Sequence, residues 1–94
     1  MNITSSGPTE ALPLIGGPHF LNIDGTFGGT SVAIEWAEDP DGPWTALLNE
    51  SEEVIAVTEA YNKILTVGPG FLRFNLTGGS SIDLNAVAKP IYRP

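Results

Sequence analysis

Between Ser31 and Ala37, apolar Val32, Ile34 and Trp36 alternate with Ala33, Glu35 and Ala37, the two-residue period of a strand with one buried face. The same period recurs along the chain. It predicts strands over 19–26, 31–37, 43–49, 53–58, 61–67, 71–77 and 81–88. The corners between them are explicit: Gly28-Gly29, Asp41-Gly42, Val67-Gly-Pro-Gly70 and Thr77-Gly-Gly-Ser80 all supply positive φ or a preset bend. Short strands with turn signals every eight to twelve residues predict an all-β fold, a single small antiparallel sandwich of about seven strands, Ig-like or jelly-roll-like. The inward positions of this pattern are Leu21, Ile23, Phe27, Val32, Ile34, Trp36, Leu48, Ile55, Val57, Ile64, Leu72, Phe74, Leu76, Ile82 and Leu84.

Two segments depart from the pattern. Asn49-Glu-Ser-Glu52 resembles a helix capping box, and Val54, Val57 and Tyr61 keep helical spacing. The β-branched Val54, Ile55, Val57 and Thr58 decide for strand. Residues 1–18 hold Pro8, Pro13 and Pro18, which argue against helix and central strand alike. This leader reads as an extended arm, with the sandwich at 19–90 and a tail at 91–94. Its apolar Leu12, Leu14 and Ile15 suit either a groove on a neighbouring subunit or an edge position on the chain's own domain.

Ninety-four residues make one domain with little stability to spare. There is no cysteine, which excludes a disulfide framework and any thiolate metal site. Efficient packing, or burial against copies of itself or a partner, is the remaining way to gain stability, and the partner is the favoured expectation. Glycine (11) and proline (8) are too frequent for a helical bundle. No apolar run approaches the ~20 residues that span a bilayer, so no membrane is expected. The first residues lack the basic start and apolar core of a signal peptide, which predicts synthesis in the cytoplasm. The N-x-[ST] triplets at Asn2, Asn49 and Asn75 then read as chance matches.

The net charge of −7 is unevenly placed. Residues 20–60 carry carboxylates and no lysine or arginine, whereas Lys63, Arg73, Lys89 and Arg93 all come later. Such a first half repels phosphate backbones, so nucleic acid is not an expected partner. It reads as a solvated acidic face, or as one half of a head-to-tail complementarity between copies.

No constellation of catalytic residues stands out. His19 is the only histidine, between Pro18 and Phe20, and reads as a strand-edge or interface residue. Glu38, Asp39 and Asp41 could offer oxygens to calcium, but Asp-Pro-Asp-Gly is ordinary turn composition and the spacing is not that of an EF-hand. The Gly-Gly pairs lack the lysine and helix of a phosphate loop. Trp36, Trp44, Tyr61 and Phe71 could stack on sugars. Trp36 reads rather as core, and Trp44 as a lid over one end of the sandwich. The expectation is therefore no enzyme and no cofactor.

The chain also resembles a family of small structural proteins in the virions of tailed bacteriophages. In these a G-x-[FY]-G-G-x-x-[VL]-x-[LIV] hairpin precedes a D-G-x-W turn, a P-G-x-x-R strand and an [LV]-[ST]-G corner. The matching pieces are Gly25 to Ile34, Asp41-Gly-Pro-Trp44, Pro69-Gly-Phe-Leu-Arg73 and Leu76-Thr-Gly78, in that order, within about residues 23–84. The resemblance implies a β-sandwich located in the virion, as a head-decoration, head-fibre or tail-associated component without enzymatic activity. Its implied partners are the major capsid protein or other virion subunits, and copies of itself. Arg73 matches the family arginine, which bridges strands or contacts a neighbour. The long leader and the Lys89-Pro-Ile-Tyr-Arg-Pro94 end depart from the pattern. Docking through the termini would make Leu12, Leu14, Ile15, His19, Arg73, Ile91, Tyr92 and Arg93 the interface residues. The alternative is a surface module that recognises host glycans through the loops around 39–44 and 68–71.

Overall fold

A computed structural model describes residues 1–49 and 51–91. In chain order the strands are β1 (Asn2–Ile3), β2 (Gly7–Pro8), β3 (Leu12–Leu14), β4 (Gly17–Thr26), β5 (Ser31–Ala37), β6 (Thr45–Ala46), β7 (Ala56–Val57), β8 (Tyr61–Val67), β9 (Gly70–Thr77) and β10 (Asp83–Pro90). No helix occurs among the described residues. One sheet runs β1-β10-β4-β8. In the other, β2 and β3 share one side of β9, β5 lies on its other side, and β6 and β7 share the far side of β5. All pairings are antiparallel.

With β2/β3 and β6/β7 each taken as one interrupted strand, the molecule is two four-stranded sheets. The chain changes sheet at every connection except β5 to β6. This is the order of a jelly roll, a β-sandwich in which strands close in sequence face each other across the core.

The core is the inward face of both sheets. Leu21 and Ile23 of β4, with Leu84 and Ala86 of β10, meet Val32 and Ile34 of β5 and Leu72, Phe74 and Leu76 of β9. Ile55, Val57 and Ile82 join them as the pattern predicts. Phe27 and Trp36 are only half-buried. Trp36 stands at the end of β5, where its indole N–H donates to the Gly68 carbonyl at 3.1 Å and its ring covers the corner into β9. That close cover requires a glycine: a Cβ on Gly70 would lie 2.9 Å from the Trp36 ring nitrogen and 2.5 Å from the Ala37 carbonyl oxygen.

Two other predicted core residues are at the surface. Leu48 is 54% exposed and Ile64 63% exposed. Ile64 pairs with Phe20, and in that register the inward residues of β8 are those opposite Gly17, His19, Leu21 and Ile23, namely Val67, Leu65, Lys63 and Tyr61. Alternation then turns Ile64 to the outer face of the sheet.

The proline-rich leader lies within its own molecule. β1 extends the first sheet beside β10, and β2 and β3 line β9 in the second. Ile3 is buried in the core, and Leu12 and Leu14 pack against it. The division expected at residue 18 falls inside β4, which starts at Gly17. Of the two placements open for Leu12, Leu14 and Ile15, the edge of the chain's own domain is the one adopted. Ile15 itself is 66% exposed.

The strand reading of 53–58 is met in part by β7, and Asn49 before it closes a turn and starts no helix. Asn49 Oδ1 accepts from the N–H groups of Ser51 (2.9 Å) and Glu53 (3.1 Å), and Leu48 and Val54 form an isolated antiparallel bridge. Asn49 N–H also donates to the Glu53 carbonyl at 2.8 Å, and Glu52 takes a positive φ of 61°, so the chain turns back towards Val54 and cannot continue as a helix.

At one end of the sandwich the β4–β5 and β9–β10 corners interlock. Ser80 N–H donates to the Gly28 carbonyl at 2.8 Å, and a Cβ on Gly28, whose φ is 60°, would lie 1.8 Å from the Ser80 carbonyl oxygen. Only glycine fits there.

Candidate functional site

Two surface features bring functional side chains together. The first lies on the outer face of the second sheet. β5 sets Glu35 directly opposite Arg73 of β9, and outward positions of paired strands share a face. Arg73 Nε donates to Glu35 Oε1 at 2.6 Å, and the guanidinium carbon stands 4.4 Å from the centre of the Trp44 ring. Charge-assisted bonding and cation–π attraction thus fix one arginine on two partners. Trp44 is therefore not a lid over the end of the sandwich. It lies against the outer face, and Arg73 occupies one side of the ring that a sugar would need.

The second feature is the open side of the sandwich. There the edge strand β8 and residues on either side of the Asn49 turn border a groove of about 510 Å³, lined by Leu48, Asn49, Ser51, Ile55, Tyr61, Lys63, Ile64 and Leu65. Leu48, Val54 (53% exposed) and Ile64 are three of the four exposed large hydrophobic residues of the described chain, and all three belong to this side. Burial pushes the Tyr61 phenol above its ordinary pKa of 10.0.

β8 is also an edge strand whose hydrogen-bonding phase can be read. Ile91 N–H donates to the Pro18 carbonyl, so Pro18 turns its backbone towards β10. By alternation His19, Leu21 and Ile23 bond to β8 through their partners Leu65, Lys63 and Tyr61. The backbone groups of Asn62, Ile64 and Thr66 then point outward, along the free edge.

The other sheet edges are short or interrupted. β1 has two residues, and β10 ends beyond it in Pro90. β2 and β3 contain Pro8 and Pro13. β6 and β7 have two residues each. Short strands and prolines are common ways of blocking an edge. β8 has seven residues and no proline.

The sequence-predicted site residues do not converge. His19 is 1% exposed within its own chain, faces the core, and its Nδ1 lies 2.9 Å from the Gly17 carbonyl oxygen. Leu12 and Leu14 line β9, and Arg73 is held by Glu35 and Trp44. Ile91 is half-buried and tied to Pro18. Tyr92 and Arg93 lie outside the described residues. Asp39 and Asp41 belong to a turn closed by Gly42 N–H on the Asp39 carbonyl, and no group of three or more potential metal-ligating side chains occurs among the described residues. Sequence reasoning missed the β8 seam because it assigned Ile64 and Leu48 to the core. The available signal was the phase of 61–67, where Lys63 sits at an inward position.

No family model matches this chain, and no curated protein or solved structure matches it.

Proposed function

We propose that this protein is a non-enzymatic assembly component, an accessory subunit of a tailed-bacteriophage virion that decorates or reinforces the capsid or a tail surface in many copies. The observation that carries the reading is the spatial meeting of the resembling motifs. The D-G-x-W tryptophan (Trp44) and the P-G-x-x-R arginine (Arg73), with Glu35 from the strand after the glycine corner, form one contact unit. The glycine corner and the region after [LV]-[ST]-G interlock through Gly28 and Ser80. Pieces that are generic one at a time therefore act together as the framework of one sandwich. The jelly-roll order, which viral coat proteins share with lectins and cupins, agrees with the reading at the level of analogy.

In this form the proposal does not use the leader for docking, since residues of the leader are engaged in the chain's own sheets. The test is quantitative mass spectrometry of purified particles from the host system that encodes the chain. Many copies per particle, lost with normal synthesis of the other subunits when the coding sequence is deleted, is the expected result. Particles free of the protein would overturn the proposal.

A further inference from the structure

We infer that the β8 edge is a twofold self-pairing surface, where a second copy of this chain adds its own β8 antiparallel and continues the first sheet from four strands to eight. The inference stands on the geometry of the edge and holds whatever particle the protein belongs to.

Three observations favour a second copy over an unrelated strand. First, the outward-bonding residues are Asn62, Ile64 and Thr66, evenly spaced about Ile64. A twofold axis at Ile64 sets Asn62 against the second copy's Thr66 and Ile64 against its own equivalent, all in hydrogen-bonded positions. The whole of β8 then overlaps, with about six new backbone hydrogen bonds. Second, side chains of directly paired residues share a face, so the two grooves become neighbours across the axis. The two Ile64 side chains meet on the outer face, and the Leu48–Val54 bridges are brought towards each other beneath the joined strands. Exposed apolar surface is thereby removed from water on both copies. Third, each seam holds both signs of charge, Lys63 on the strand and exposed Glu52 and Glu53 on the loop. Two copies can then set the lysine of one towards the loop of the other, which offsets part of the repulsion between molecules of net charge −7.

The test uses the full chain. Sedimentation equilibrium should give twice the 9.9 kDa monomer mass. Thr66→Pro removes one outward N–H and no bond to β4, so it should yield a folded monomer with an unchanged circular dichroism spectrum. Because the chain lacks cysteine, Ile64→Cys adds a second readout that does not depend on the proline variant folding. Hydrogen-bonded antiparallel partners have Cα atoms about 5.5 Å apart, within disulfide reach. Mild oxidation should convert most of the Ile64→Cys protein to a covalent dimer, whereas Ser5→Cys, which dimerises through the same edge, should form no covalent dimer. A monomer up to millimolar concentration, a dimer that survives Thr66→Pro, or equal cross-linking at both positions would each overturn the inference.

Discussion

Arg73 is where an ion pair and an aromatic contact meet on one side chain. It sits between Glu35 and Trp44 on a partly buried surface, so removing its charge leaves Glu35 without its partner. Arg73→Met is expected to lose about 1–3 kcal/mol in urea unfolding at neutral pH. Equal stability of the variant would show the pair to be a surface ornament. Tyr61 makes a pH prediction. Burial raises its pKa, so the folded state keeps the proton at alkaline pH where the unfolded chain releases it. Above the unfolded value the unfolded state binds fewer protons, and stability falls as pH rises. Below it, both states are protonated and Tyr61 contributes no slope. Tyr61→Phe should flatten the alkaline limb of stability against pH and leave the neutral region unchanged. An identical alkaline slope in the variant would rule Tyr61 out as its source.

At the scale of elements, the period-two pattern located β4, β5, β8, β9 and β10 to within two residues, because in each of them one face meets the core. It overextended β6 and β7, since the Asn49 turn and the exposed seam leave only two paired residues in each. The leader was the least legible element. Its prolines correctly exclude a central strand, but three short edge strands carry no alternation long enough to read. Their register comes from β9 and β10, far away in sequence. Deleting residues 1–14 therefore uncovers the edges of both sheets and removes Ile3, Leu12 and Leu14 from the core. The expected loss is about 3 kcal/mol or more, a large part of the total for a domain of this size. A truncated chain with an unchanged thermal midpoint would show that the leader contributes nothing to the sandwich.

For the whole molecule, the limiting quantity is burial. A 94-residue sandwich without cysteines has few ways to add stability, and this one leaves three of the four exposed large apolar side chains of its described residues along one open seam. Self-pairing there would couple stability to concentration, because a partner that binds only the folded form raises the apparent midpoint by mass action. The sequence alone determined the all-β class, the corners and most of the core, since these depend on local alternation and on glycine where the backbone must turn. Tertiary structure decided the jelly-roll order, the fate of the leader, the burial of His19, the meeting of Glu35, Arg73 and Trp44, and the exposure of Ile64. Each of these depends on which strands become neighbours, and a periodic pattern states only that a strand has an inner face, never what lies opposite it.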